Sequence, residues 1–251
     1  MFHTTKALVL REVRYKEADR ILTLFTEADG KITAKARGAL RKSSRTGAAT
    51  QQLTYAEMTL FGNRGKWTVN EASLVEPFAG LREDIERFAL GCYLAECMEA
   101  FSVEDQPDAP LLQLGLNCLY ALSRGLTDAL LIKAAFELRL MCIAGFEPDV
   151  QGCAVCGKAA PEEPIFHLED GGVCCRSCRR ASMGAWAELD EAALTALRYV
   201  VAAPARQLLS FRLEGRSRQL FSSAAERYLL LHAERGFSTL DYWKQFQGQK
   251  T

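Results

Sequence analysis

The chain has 251 residues, 49% hydrophobic and 25% charged, which allows one large domain or two to three small ones with real cores. The N-terminal residues lack the apolar stretch of a secretory signal peptide, and no run of about 18 apolar residues predicts a membrane span. The formal net charge is zero, but residues 1–75 hold 13 Lys/Arg against 7 Asp/Glu, which predicts a basic surface on an otherwise acidic chain.

Short strand-like runs fill the first 78 residues and predict a small β-barrel of OB or SH3-like type. These runs are Lys6–Val13, Ile21–Phe25, Lys31–Arg37, Gln52–Phe61 and Lys66–Val69. Asp29-Gly30 predicts a hairpin between the second and third runs. The segment Gly62–Gly65, rich in residues that tolerate positive φ, predicts a turn between the last two.

A basic segment covers the third predicted strand and the loop that follows it. Its cations are Lys31, Lys35, Arg37, Arg41, Lys42 and Arg45. Because side chains alternate along a strand, Ile32, Ala34 and Ala36 are expected in the barrel core and the strand's cations outside. Residues 38–51 are small, polar and basic, which predicts a mobile loop that continues this basic stripe. Such a stripe can neutralise phosphates, whereas the simpler interpretation is a solvated face.

Four aromatic residues of the barrel could stack on nucleic-acid bases. They are Tyr15, Tyr55, Phe61 and Trp67. Period-2 strands bury aromatic side chains readily, so we expect each of the four in the core rather than on a binding surface.

Residues 79–251 are predicted to be helical, with an inserted cysteine module at 150–181. The predicted helices are Arg82–Phe101, Leu111–Ser123, Ala129–Ala144 and Ala224–Arg235. Ser223-x-x-Glu226 has the pattern of a capping box at the start of the last helix, and Gly236 is its expected C-cap. Four cysteines on these helices are expected to be buried and to pack as small hydrophobic side chains: Cys92, Cys97, Cys118 and Cys142.

Two Cys-x-x-Cys pairs give the most specific pattern in the chain. Cys153 and Cys156 form the first pair, Cys175 and Cys178 the second, with 18 residues between them. This spacing is typical of a tetrahedral four-thiolate zinc site, which is closed and structural because four ligands fill the shell. Nine cysteines without a signal peptide also indicate a reducing compartment. Cys174 is expected outside the shell, and His167 lies between the pairs as a possible substitute ligand.

No pattern of catalytic residues is recognisable. The three histidines, His3, His167 and His232, stand in settings that suggest no nucleophile–base pairing, and no phosphate-binding loop of the G-x-x-x-x-G-K-[ST] kind occurs. A zinc hydrolase would need an open coordination position, which four thiolates do not leave. The sequence therefore predicts a protein that is not an enzyme.

Four strings of the sequence are distinctive: "LVLREVRYKEADRILTLFTEADGKITAKARGALR", "FELRLMCIAGFEPDVQGCAVCG", "GGVCCRSC" and "YLLLHAERGFSTLDYW". They resemble the RecO family of bacterial recombination mediators. In that order, they are similar to the start of the family's barrel, its helix-to-zinc junction, its second knuckle and its closing helix. The family's Lys-Gly after the hairpin strand stands here as Arg37-Gly38, which preserves the charge.

The resemblance implies an α+β, multidomain protein with an N-terminal OB-fold at residues 1–78 and a helical domain at 79–251. It implies that the protein binds single- and double-stranded DNA, anneals complementary strands and, in the RecF pathway, helps load recombinase onto DNA coated with single-stranded-DNA-binding protein (SSB). Expected partners are RecR and the acidic C-terminal tail of SSB, with a functional link to RecA. The implied location is the bacterial cytoplasm, with association to the nucleoid.

The resemblance also assigns residues. The DNA-binding positions map onto Lys35, Arg37, Arg41, Lys42 and Arg45. The ligands of one structural Zn²⁺ map onto Cys153, Cys156, Cys175 and Cys178. For the acidic tail, the helical domain offers Lys133 and Arg139 as possible contacts. The alternative function is a zinc-containing protein-interaction scaffold that does not bind DNA, in which the apolar helices are the working surface.

Overall fold

The computed structural model describes residues 1–63, 65–180 and 184–247. The chain divides into two compact units, one formed by residues 1–124 with 237–251 and the other by 125–236. The sequence-based division at residue 78 follows the change from strands to helices and stays a prediction. Outside the described residues lie Arg64 of the predicted turn, Ala181 of the predicted cysteine module and the C-terminal residues 248–251.

The first unit contains a closed five-stranded barrel. Its strands are β1 (Phe2–Tyr15), β2 (Asp19–Thr26), β3 (Gly30–Ala36), β4 (Tyr55–Asn63) and β5 (Lys66–Glu76). The strand order is β1-β2-β3-β5-β4, and β4 pairs with β1 to close the barrel. All pairings are antiparallel except β3 with β5. This is the five-stranded Greek-key arrangement of an OB-fold, so the predicted fold class is confirmed.

The barrel core forms from alternate residues of each strand. On β3, Ile32, Ala34 and Ala36 are buried at 3% exposure or less and join the core cluster. The residues between them are partly or fully exposed. The predicted alternation of β3 is therefore confirmed, because a period of two side chains puts one apolar set inside a closed wall.

In the part of the chain that the structure describes, six α-helices follow the barrel. They are α1 (Ile85–Phe101), α2 (Ala109–Arg124), α3 (Ala129–Ile143), α4 (Glu191–Ala202), α5 (Gly215–Ala233) and α6 (Ser238–Gln247). An aspartate caps the N-terminus of four of them: the carboxylates of Asp84, Asp108, Asp128 and Asp190 accept backbone N–H groups of the first turn of α1, α2, α3 and α4. Among the residues that the structure describes, no helix is both long and apolar enough to cross a membrane.

Helix α5 begins earlier than its sequence predicts. Ser223 was expected to cap a helix starting at Ala224, but it lies inside α5, which starts at Gly215. Glu226 pairs with Lys133 of α3 at 2.8 Å, and the capping-box pattern is formed by two mid-helix residues three positions apart. The C-cap is Glu234, at φ 51°, rather than Gly236.

The second unit carries a small antiparallel sheet built around the cysteines. Its strands are β6 (Pro164–His167), β7 (Val173–Cys175) and β8 (Trp186–Glu188), in the order β7-β6-β8. Cys153 forms a bridge to Val173, which brings the first cysteine pair beside the second.

The helical cysteines are packed as predicted. Cys97 and Cys118 are fully buried, and Cys92 and Cys142 are partly buried. Burial raises the pKa of the Cys118 thiol to about 12. A thiol held protonated in this way is a weak nucleophile, which agrees with a packing role.

Candidate nucleic-acid interface and metal centre

Strand register brings residues of β1, β2 and β3 together on the outer wall of the barrel. Val13 pairs with Ile21, and Ile21 pairs with Lys35. Directly paired residues point to the same side of a sheet, so these three side chains form one row. Val13 is 48% exposed and Tyr15, at the end of β1, is 42% exposed. We call this surface, with Arg37 beyond Lys35, the open face.

Asp19 holds the centre of the open face in place. Its carboxylate lies 2.8 Å from Lys35 Nζ and accepts the Gly38 backbone N–H at 2.8 Å. The hydrogen bond from Lys35 is the largest of the causes that hold the pKa of Asp19 below its usual value. The Lys35 ammonium also lies 4.9 Å from the centroid of the Tyr15 ring. A cation beside an exposed aromatic ring offers both a phosphate contact and a stacking surface.

The segment 38–51 is a folded series of turns, contrary to the predicted mobile loop. The Leu40 N–H donates to the Ala18 carbonyl at 2.9 Å, which ties the loop to the β1–β2 turn. Arg20 donates to the Gly47 carbonyl at 2.7 Å and to Thr50 Oγ1 at 3.0 Å. Ala39 and Ala49 belong to the barrel core. Two of the small residues that suggested a mobile loop, Ala39 and Ala49, are thus packed in the barrel core.

The predicted DNA-binding cations divide into two places. Arg37, Arg41 and Lys42 are exposed, and Arg41 lies against Gly38, where an added Cβ would be 3.6 Å from Arg41 Cδ. Arg45, also exposed, instead lines a groove of about 520 Å³ beside Glu57 and Glu71 on β4 and β5. The first three lie on and just beyond the open face, whereas Arg45 stands in a more acidic setting.

Lys31 does not belong to the basic stripe that the sequence predicts. Its ammonium donates to the Glu99 carbonyl at 2.9 Å and the Ser102 carbonyl at 2.8 Å. Both carbonyls lie at the C-terminal end of α1, where a cation is favoured. Arg11 binds the Glu99 carboxylate at 2.9 Å. One end of the β1–β2–β3 wall is therefore occupied by α1, and the other end, the open face, is exposed.

The aromatic residues also differ from their predicted burial. Tyr55 is buried and donates a hydrogen bond to Glu27, and Trp67 packs against the core, as expected. Tyr15 and Phe61, however, are exposed at 42% and 37%. The prediction was wrong for these two because their register points them outward, a property that single-residue β-propensity does not determine.

The four cysteines of the predicted metal site lie together. Their Sγ atoms are all within 4.8 Å of one another, with Cys156 and Cys175 at 3.9 Å. Zn–S bonds of roughly 2.3 Å in a tetrahedron separate sulfurs by about 3.8 Å, so the cluster fits Zn²⁺ with small adjustments. The Cys153 sulfur accepts backbone N–H groups of Cys156 and Cys175, each at 3.4 Å, which orients it toward the others.

The thiols of this cluster are unequal. Burial raises the pKa of Cys153, but hydrogen bonds from the backbone N–H groups of Cys156 and Cys175 outweigh it and bring the value to about 6. A hydrogen bond with Cys156, together with burial, raises the pKa of Cys178 to about 12. A metal binding here would displace protons, so its affinity falls as the pH falls.

Cys174 faces away from the shell, as predicted. Its sulfur lies 3.2 Å from His167 Nε2, and both residues are buried. Around the cluster, Arg176 pairs with Glu188 and with Glu163, the latter at 3.1 Å. Arg179 lies 4.8 Å from the centroid of the Trp186 ring. Arg176 is thus already neutralised by two carboxylates, so of these two cations Arg179 is the one that could offset the negative charge of four thiolates.

Comparison with known proteins agrees with this architecture. The family model described as "Recombination protein O N terminal" matches residues 1–78, and "Recombination protein O C terminal" matches residues 82–241. The chain belongs to the RecO family. It is 35% identical to the DNA repair protein RecO of Acetivibrio thermocellus over 240 residues, which cover 96% of this chain and 95% of the relative. RecO of Symbiobacterium thermophilum is 31% identical, with 96% of each chain covered.

The two residues predicted to bind the acidic tail of a partner protein, Lys133 and Arg139, are not available as surface contacts. Lys133 has no exposed surface and lies 2.8 Å from carboxylate oxygens of both Glu137 and Glu226. Arg139, half-buried, donates to the backbone carbonyls of Val200 and Ala203, the latter at 2.6 Å, at the C-terminal end of α4. The expectation at both positions is corrected, because an isolated cation on an apolar helix is here a buried ion pair or a helix cap.

Lys133 is instead expected to stabilise the second unit. Burial lowers the pKa of Lys133, but the Glu137 and Glu226 carboxylates outweigh it and raise the value. Lys133→Met removes the cation and leaves two carboxylates facing each other, which should cost about 3–5 kcal/mol of unfolding free energy. Chemical denaturation measures this loss. The double variant Lys133→Met with Glu137→Gln is the control, and it should recover part of the lost unfolding free energy. If the single and double variants lose the same unfolding free energy, the charge of Lys133 does not account for its effect.

Proposed function

We propose that this RecO-family protein binds DNA through the open face of its barrel and anneals complementary strands. The observation that supports this most is the combination of exposed Tyr15 with the Lys35 ammonium 4.9 Å from its ring centroid. Arg37, Arg41 and Lys42 extend the positive surface from there. An OB-fold binds oligonucleotides on the face of β2 and β3 and with the loop between β1 and β2. Lys35 lies on β3 and Tyr15 at the start of the β1–β2 loop, whereas Arg41 and Lys42 lie in the loop that follows β3.

Each part of the open face has a physical role in this proposal. The cations neutralise phosphates and release condensed counterions, which contributes sequence-independent affinity. Tyr15 stacks on a base without sequence preference, since every base has a π-face. Asp19 fixes Lys35 and the Gly38 backbone, so the site is ordered before DNA binds. Annealing follows because two strands held near a positive surface repel each other less.

The wider role rests on the family resemblance. The protein would act in the RecF pathway with RecR and with the acidic tail of SSB, and would help load RecA at gaps in SSB-coated DNA. Its work would be on DNA at the nucleoid in the bacterial cytoplasm, without enzymatic turnover. A Zn²⁺ held by Cys153, Cys156, Cys175 and Cys178 would supply a closed tetrahedral staple for the second unit, with no open position for catalysis.

Strand annealing tests the proposal directly. The purified full chain is mixed with two complementary oligonucleotides, one carrying a fluorophore and the other a quencher, without any nucleotide cofactor. We expect the second-order annealing rate to rise above the protein-free rate and to fall as salt is added. An unchanged rate, together with no binding of single-stranded DNA at low salt, would favour the interaction scaffold instead.

A further inference from the structure

One row of outward-facing side chains continues from the open face around the barrel. Lys35 of β3 pairs with Thr68 of β5, Thr68 pairs with Phe61 of β4, and Phe61 pairs with Phe2 of β1. Because directly paired residues share a side of the sheet, all four point outward. The contact surface of Lys35 is therefore continuous with an aromatic pair two strands away.

The aromatic pair at the end of this row is exposed. Phe2 and Phe61 are 60% and 37% exposed, and their ring centroids lie 5.0 Å apart at an interplanar angle of 49°. Lys66, two residues before Thr68 on β5, is exposed and on the same side of the strand. An exposed aromatic pair beside a lysine has the chemistry of a base-stacking site with a phosphate contact.

The shape of the barrel determines which nucleic acid can reach this pair. Neighbouring strands lie about 4.8 Å apart, so Phe61 is about 10 Å along the wall from Lys35. The wall curves, since five strands close on themselves. Duplex DNA is stiff, with a persistence length of about 150 base pairs, and cannot follow a surface of this radius. A single strand can bend around the barrel and present unpaired bases to the pair.

We infer that Phe61 and Phe2 form a stacking site for unpaired bases and that this site gives the barrel a preference for single-stranded over duplex DNA. The inference rests on the proposed DNA-binding function and extends it from the open face to β4 and the start of β1. Unpaired bases fit this patch because strand pairing joins it to Lys35 and because Lys66 flanks it. Duplex DNA, by contrast, contacts only the cations of the open face.

The test compares single-stranded and duplex affinity in the full chain. Phe61→Leu keeps an apolar side chain but removes the ring, and we expect about a 10-fold loss of affinity for oligo-dT. Duplex affinity should change by less than about twofold. Phe61→Trp should keep the wild-type affinity and add fluorescence that oligo-dT quenches. Tyr120→Ala is the control, because Tyr120 is an exposed aromatic on α2 with Arg124 5.4 Å from its ring centroid.

Thermal unfolding confirms that each variant is folded before affinities are compared. Unchanged oligo-dT affinity in Phe61→Leu, or an equal loss for duplex, would overturn the stacking site. The proposed DNA-binding function would still stand in that case if charge reversal at Lys35 and Arg37 abolishes binding. If that charge reversal leaves DNA affinity unchanged while Phe61→Leu lowers it, the proposal that DNA binds the open face is contradicted. The stacking site would then bind DNA independently of the open face.

Discussion

Reversing two charges on the open face should weaken DNA binding strongly. In Lys35→Glu with Arg37→Glu, two phosphate contacts become repulsive, and each charged contact contributes about 1.5–3 kcal/mol. We therefore expect affinity for a single-stranded oligonucleotide to fall on the order of 100-fold at low salt. Fluorescence anisotropy with a labelled oligonucleotide measures the change.

Two further variants separate a lost contact from a damaged fold. Lys35 also pairs with Asp19, so its reversal could disturb the barrel. Arg37→Glu with Arg41→Glu leaves that ion pair intact and should show a comparable loss. Arg212→Glu with Arg227→Glu makes the same change in net charge at exposed positions of the second unit. If this last pair weakens binding as much as the first, net charge rather than the open face governs affinity.

Removing a predicted zinc ligand should unfold the cysteine module without removing DNA binding. Metal-linked folding contributes about 10–16 kcal/mol in zinc-finger peptides, more than the total stability of many domains. In Cys175→Ser we expect the zinc content to fall well below about one per chain. Hydrogen exchange in residues 150–180 should then accelerate by orders of magnitude. Peptides from β1–β5 should exchange as before, and single-strand affinity should change less than about twofold.

The neighbouring thiol supplies a matched control for this prediction. Cys174 is adjacent in sequence but contacts His167 rather than the cluster. Cys174→Ser should retain about one zinc per chain and normal exchange in the module. Equal zinc loss in both variants would show that the ligand frame is wrong. A loss of DNA affinity in Cys175→Ser as large as that from charge reversal would place the module in the DNA-binding surface.

The sequence predicted those features that depend on local spacing. The alternation of side chains on β3 was enough to predict that Ile32 and Ala34 are buried. In a closed barrel, every second side chain of a strand points into the core and the others point to solvent. The cysteine spacing was enough to bring four sulfurs within 4.8 Å, since each Cys-x-x-Cys turn presents two thiols and one bridge joins the turns. Helix α3 starts at Ala129, as predicted, whereas α1 starts at Ile85 rather than at the predicted Arg82, because the Asp84 carboxylate caps its first turn.

Features that depend on long-range partners were not predictable in the same way. Lys31 and Lys35 both point outward from β3, yet they have different partners. Lys31 donates to the Glu99 carbonyl at the end of α1, 68 residues away, whereas Lys35 pairs with Asp19. The sequence around Lys133 suggested a surface contact, because one of its partners, Glu226, lies on α5, far away along the chain. Nothing in the sequence around Phe61 shows that it faces outward, because its orientation is set by pairing with Thr68 and Phe2.

The salt dependence of single-strand affinity tests the central claim, that DNA lies on the open face, most directly. Affinities of the wild type and of Lys35→Glu with Arg37→Glu are measured over a range of salt concentrations and plotted on logarithmic axes. Each phosphate contact to a single strand contributes about 0.7 to the slope, so the variant's slope should be shallower by about 1.4. Equal slopes for the two proteins would show that neither residue contacts phosphate and would contradict the assignment of the open face.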